Sequence, residues 1–131
     1  MDDYIQARPF TIQGETRQVV YMQPPSSVSE KVWLPQGARL VFGMGIDPEV
    51  WGKRGDGVEF QVAVREGGQE KVLYSHYLDP KSVPADRRWV DAEVDLGPYA
   101  HREVQVVLRT LPGASPDYDW AGWAQPKIIL P

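Results

Sequence analysis

The chain has 131 residues, no cysteine, 42% apolar residues and a formal net charge of −4. This length suits one domain with a real core, so residues 1–131 are expected to form a single domain, either free-standing or cut from a larger protein. Disulfides, thiol nucleophiles and thiolate metal sites are excluded, scattered basic residues argue against nucleic acid, and no apolar run is long enough to span a membrane.

The N-terminal stretch Met1 to Arg8 has no apolar h-region, so no signal peptide is expected there. Phe10 to Gln13, Arg17 to Met22 and Val28 to Leu34 are β-branched or aromatic stretches bounded by Gly14, the Pro24-Pro25 pair and Pro35, and each reads as a strand. Leu40, Phe42, Met44 and Ile46 recur at period two. The pattern is cleanest from Val58, where Val58, Phe60, Val62 and Val64 alternate with Glu59, Gln61, Ala63 and Arg65. Val72, Tyr74, His76 and Leu78 continue the alternation after Gly67 and Gly68, which supply positive φ for a hairpin. A three-residue loop of Gly67, Gly68 and Gln69 is expected, because it sets Val64 opposite Val72 and Val62 opposite Tyr74.

Val90, Ala92, Val94 and Leu96 form the next alternating run, and Val104, Val106 and Leu108 the one after it. Trp123 to Leu130 closes the series, with Pro126 marking an edge or a bulge. No stretch holds a 3.6-residue period over three turns. The expected fold is all-β, an antiparallel sandwich of eight or nine strands with jelly-roll topology. The stretches near Phe10 and Ile128 are the expected sheet edges.

Strand alternation also sorts the connections. Pro35 to Gly37, Gly67 to Gln69 and Gly97 to Arg102 are short, whereas Asp47 to Asp56, Asp79 to Arg87 and Leu111 to Ala121 are about ten residues each and should gather at the opposite end. The long set carries Asp47, Trp51, Lys53, Arg54 and Asp56, then Asp79, Lys81, Asp86 and Arg87, then Asp117, Tyr118, Asp119 and Trp120. Indole and phenol faces stack on the C–H face of a pyranose while carboxylates and guanidinium groups take its hydroxyls. Candidate ligand residues are therefore Trp51, Arg54, Asp56, Asp86, Arg87, Tyr118, Asp119 and Trp120. The competing reading has Trp51, Trp120 and Trp123 plugging the open end of the sandwich, and Asp56 capping backbone N–H groups of a turn. Exposure discriminates: a sugar platform needs Trp51, Tyr118 or Trp120 open to solvent beside polar groups.

Three stretches resemble a known group. Gly55-Asp56-Gly57-Val58-Glu59-Phe60-Gln61-Val62, then Trp89 to Leu96, then Asp119-Trp120-Ala121-Gly122-Trp123-Ala124-Gln125-Pro126-Lys127-Ile128 resemble the NPCBM-like branch of galactose-binding-like jelly rolls, over about residues 50 to 130. The chain departs from that pattern at Tyr99-Ala100-His101-Arg102, where a glycine usually follows the tyrosine-alanine pair. Asp56, Asp119 and Trp123 match motif positions only. The resemblance implies a non-catalytic carbohydrate-binding accessory module, extracytoplasmic or secreted as part of a larger bacterial glycan-active or glycosyltransferase-like protein. The alternative is a structural or interaction domain that packs against a neighbouring domain and takes no small ligand.

Catalysis has little support. His76 and His101 are the only histidines and sit on separate segments, and Asp117 and Asp119, one residue apart, are a weak glycosidase pair. No cofactor is expected. Galactose-binding-like folds often hold a structural calcium, but Asp47, Asp56 and Asp79 lack D-x-D-x-D-G spacing, so no metal site is assigned.

Overall fold

A computed structural model describes residues 5–115 and 117–131. Half of the Met1 to Arg8 stretch and one residue of the third long loop, Pro116, lie outside the described residues. The strands are β1 (Ile5–Ile12), β2 (Glu15–Met22), β3 (Ser26–Leu34), β4 (Arg39–Ile46), β5 (Val58–Glu66), β6 (Gln69–Leu78), β7 (Val90–Asp95), β8 (Arg102–Pro112) and β9 (Ala121–Ile129). They form two antiparallel sheets, one ordered β1-β2-β9-β4-β7 and the other β3-β8-β5-β6. Among the described residues the helical segments are short 3-10 turns, and no helix is long and apolar enough to cross a membrane.

The period-two residues meet between the sheets. Leu40, Phe42, Met44 and Ile46 of β4 face Val58, Phe60, Val62 and Val64 of β5, all buried. Trp123 lies wholly buried at the centre, edge-on to Phe42 (ring centroids 5.1 Å apart) and Phe60 (5.2 Å). Offset edge-to-face packing of this kind is favourable for the aromatic quadrupole. The tryptophan thus has the core role the sequence offered as one of two readings.

The β5–β6 hairpin corrects one expectation. Its loop is the two-residue turn Gly67-Gly68, with Glu66 paired to Gln69 and Val64 to Lys71. A bulge then resets the register, because Val62 pairs with Tyr74 while Ala63 pairs with Val72, leaving Leu73 as the extra residue. The glycines at φ 58° and 79° make the tight turn possible, and the bulge restores the apolar register that a two-residue loop alone would lose. Its consequence is that Val72, expected inward, is exposed, and Leu73 packs on the core in its place.

Strand β9 is central where it starts and peripheral where it ends. Val19–Tyr21 of β2 pair only with Gly122–Ala124, and the β4 pairing slips where Gln125 takes φ 46° and Pro126 follows. Pro126 therefore marks a bulge, and the Ile128 end pairs with β4 alone. Beyond that point the β1–β2 hairpin leaves the sheet and lies across its outer face. Arg17 of β2 reaches Asp91 of β7 at 2.6 Å, Trp89 Nε1 donates to the Glu15 carbonyl at 3.0 Å, and a Cβ on Gly45 of β4 would stand 2.7 Å from Ile12. Phe10, Ile12, Val19, Tyr21, Trp89 and Ala124 form a second small core beneath it. Tyr21 stands at the long-loop end through its pairing with Gly122, and the fold-over brings Arg8 beside it.

Candidate functional site

Register places the three long loops together. Val58 pairs with both Leu78 and Pro112, and Ile46 pairs with Ala121, so the connections 47–57, 79–89 and 113–120 all leave the same end. Carboxylates from within the set close all three. Asp47 caps the turn Pro48–Val50 by accepting from the Glu49 N–H at 3.1 Å, and its own N–H donates to the Trp120 carbonyl at 2.9 Å, tying the first loop to the third. Asp86 accepts from the Asp79 N–H at 2.9 Å, and Arg87 Nε donates to the Pro80 carbonyl at 2.7 Å, closing the second loop on itself. Asp56 accepts from the backbone N–H groups of Ala114 and Ser115 at 2.5 and 3.4 Å, so it caps the third loop from the first. A side chain on Gly113 would collide with that carboxylate.

Beneath the loops lies a buried ion pair. The Lys81 side chain is 4% exposed, and its ammonium donates to the carbonyls of Arg54 (2.9 Å) and Asp117 (3.0 Å) and stands 3.6 Å from Asp119 Oδ1. Asp119 is fully buried, and neither of its carboxylate oxygens accepts a hydrogen bond. Burial outweighs the attraction of Lys81 and raises its pKa from 3.8 to about 7, with Asp56 and Asp117 adding repulsion. One ammonium thus bridges all three loops. A cation held by two carbonyls and a carboxylate does here what a bound metal ion does elsewhere, and among the described residues no group of three or more acidic or histidine side chains is placed to hold a metal.

Above this pin sit the aromatics. Trp51, Tyr118 and Trp120 are each half-buried, packed on the core with one part open to solvent. Trp51 Nε1 donates to the Ile46 carbonyl at 2.9 Å, fixing its ring, and the Arg87 guanidinium lies 5.9 Å from that ring's centroid. Tyr118, at φ 54°, is tilted against Trp120 with centroids 6.5 Å apart, and Lys53 and Arg54 stand over it at 5.9 and 5.5 Å. Arg54 also pairs with Asp117 at 3.1 Å, both exposed. Arg8 stands 5.8 Å from the Trp120 centroid and 4.6 Å from that of Tyr21, and is 3.2 Å from Asp47. The result is a surface of partly buried rings edged by guanidinium and ammonium groups.

Of the eight residues singled out in the sequence, Trp51, Tyr118, Trp120, Arg54 and Arg87 meet on this surface. Asp56 and Asp86 are spent on the loops' own backbone, and Asp119, expected as a ligand contact, is sealed beneath them. Because Asp119 is buried and Asp117 is bound to Arg54, the two do not form an open acidic pair. Sequence reasoning did not assign Arg8 or Lys81 to the site. Arg8 arrives only because the β1–β2 hairpin folds over, and Lys81 looks in sequence like any other loop lysine.

No family model matches the chain. An uncharacterized protein of Archaeoglobus fulgidus is 40% identical over 126 residues, covering 89% of this chain and 32% of that protein, so the chain spans about a third of the curated relative it matches. Among solved structures, the CBM51 of Clostridium perfringens GH95 in complex with methyl-galactose aligns with TM-score 0.66 at 13% identity, over 95% of this chain and 81% of that one. The CBM51-2 and INT domains of Clostridium perfringens ZmpB, in complex with GlcNAc, align with TM-score 0.65 at 18% identity, over 94% of this chain and 25% of that one. The C-terminal CBM6 of LamC from Zobellia galactanivorans aligns with TM-score 0.52 at 17% identity, over 98% and 90%. The chain therefore has the galactose-binding-like jelly-roll fold of the CBM51 and CBM6 modules.

Proposed function

We propose that this chain is a non-catalytic carbohydrate-binding module that receives a sugar at the long-loop end of its sandwich. The observation that carries the reading is the set of partly buried rings of Trp51, Tyr118 and Trp120 on loops pinned by Lys81, edged by Arg8, Arg54 and Arg87. A pyranose laid on an indole gains apolar contact on its C–H face, and the guanidinium forks are placed to donate to its hydroxyls. Solved neighbours of the same fold are modules seen with GlcNAc and with methyl-galactose, which gives the ligand class its support. Residues 1–131 act as one domain of a longer extracytoplasmic or secreted glycan-active protein, in keeping with the threefold length of the Archaeoglobus fulgidus relative.

The test is a titration of intrinsic tryptophan fluorescence with methyl-galactose, N-acetylglucosamine and longer oligosaccharides. Saturable quenching lost in Trp51→Ala or Trp120→Ala is expected. No response to any sugar from a folded protein would refute the reading and favour the second one, an interaction domain that packs against a neighbour in the remaining two thirds of a relative-sized protein.

A further inference from the structure

The far end of the sandwich carries an aromatic side chain that the loop-end site does not use. Trp33 of β3 is 60% exposed, the most open large apolar side chain among the described residues. Its neighbours Val32 and Leu34 pack on the core, so alternation puts the indole on the outer face of the β3-β8-β5-β6 sheet. Lys31 precedes it on that face and Glu103 lies directly across on β8. Both are exposed, and neither makes a hydrogen bond or ion pair among the described residues.

Over β5 and β6 the charged side chains of this face are committed to polar neighbours. Glu70 takes both Arg109 (2.8 and 2.9 Å) and Arg65 (3.0 Å), and Glu59 takes Gln61 and Ser75, together roofing the buried Ala63 and Val107. The corner beside Trp33 differs. Gly67 and Gly68 leave the surface low there, and a depression of about 380 Å³ opens between Lys31, Arg65, Glu66 and Glu103.

The indole is also braced. His101 sits 6.1 Å from it, centroid to centroid, at an interplanar angle of 59°. It does so from φ 61°, in the left-handed region at the turn into β8. Singly exposed leucines or valines need no explanation, but a braced, open tryptophan beside a depression and two uncommitted charges does.

We infer that Trp33, Glu103 and Lys31, with His101 behind the indole, form a second saccharide-binding site at the end of the sandwich opposite the long loops. The sugar lays its C–H face on Trp33, and its hydroxyls donate to the Glu103 carboxylate and accept from the Lys31 ammonium. The ligand class is the one proposed for the loop end, but no residue is shared. One sandwich would then engage two glycan segments at once, gaining avidity for a polymer over a monosaccharide.

The five indole N–H groups of the chain provide the readout. Nitrogen-15 NMR spectra of the intact chain are recorded during titration with methyl-galactose, N-acetylglucosamine and cellotriose, with Trp33→Phe assigning its signal. A saturable shift of the Trp33 indole is expected with at least one sugar, its midpoint raised about tenfold in Glu103→Gln, the scale of one charge-assisted hydrogen bond. Glu103→Gln keeps shape and fold, so a null effect there counts against the proposal. A Trp33 indole that stays fixed under all three sugars overturns it, whatever the other indoles do. Movement at Trp33 with silence at Trp51 and Trp120 upholds this site and refutes the loop-end one, and the reverse pattern does the opposite.

Discussion

Lys81→Met is the substitution that tests most deeply how the loop end is held. It keeps the length and apolar stem of the side chain and removes only the ammonium. Three acceptors lose their partner: the carbonyls of Arg54 and Asp117, and the buried Asp119 carboxylate 3.6 Å away. Breaking a buried pair by deleting one member costs about 3–5 kcal/mol, because the other charge is left uncompensated. Asp119 has an escape, since it can take up a proton. Its pKa already stands at about 7 in the intact protein, and both influences of Lys81 on it are lowering, so the variant moves it higher. At pH 5 the carboxyl is therefore neutral, and the variant suffers mainly from two orphaned carbonyls, about 1–3 kcal/mol. At pH 9 the full cost applies. Urea unfolding followed by tryptophan fluorescence at the two pH values should show the variant's deficit growing with pH, with Asp119→Asn in the same background restoring part of it at pH 9. A deficit that is the same at both values, or one below about 1 kcal/mol at pH 9, would refute the pin.

Other expectations follow from the same geometry. In the intact protein the folded pKa of Asp119 is raised above its unfolded value of 3.8. Its stabilising proton uptake is therefore fully present below that value and lost as pH rises through about 7, a decline of about 4 kcal/mol at most that pH-dependent thermal melts would resolve. Trp123→Ala empties the centre of the core beside Phe42 and Phe60 and should cost about 3–5 kcal/mol in chemical denaturation. Arg17→Ala unties the β1–β2 hairpin from Asp91 and should speed amide exchange in β1 and β2, while β5 and β8 keep their protection. Gly57→Ala puts a Cβ 2.4 Å from the Leu78 carbonyl oxygen and should lower the melting temperature by several degrees, whereas a substitution of Gly52, which faces open space, should not.

Much of the fold was legible because period two is written plainly in β4, β5, β7 and β8, whose inward residues are buried, with Ala92 partly so, as their alternation requires. The gathering of the long loops was also legible, since it needs only antiparallel succession. What escaped was the bulge in β6 and the curl of β2, whereas the break in β9 was legible from Pro126 itself. Leu73 is an extra residue that a strict alternation cannot foresee, and it decides which residue of β6 faces inward. The site shows the same division. Trp51, Tyr118 and Trp120 were recognisable as chemistry on loops, but the sequence cannot tell an exposed loop carboxylate from a buried one, so Asp119 looked like a ligand and Lys81 like a bystander. Trp33 sat unnoticed within an apolar stretch because Val32 and Leu34 on either side do the packing. His101 left a trace, standing where a glycine usually follows the tyrosine-alanine pair, and the structure gives it the positive φ that such a glycine would take.

The most direct test of carbohydrate recognition at the loop end is a crystal structure of the chain soaked with methyl-galactose or N-acetylglucosamine at saturating concentration. The expected result is a sugar ring in contact with Trp51, Tyr118 or Trp120, with at least one hydroxyl bonded to Arg8, Arg54 or Arg87. Density for sugar only at Trp33, or nowhere on the molecule, would contradict it.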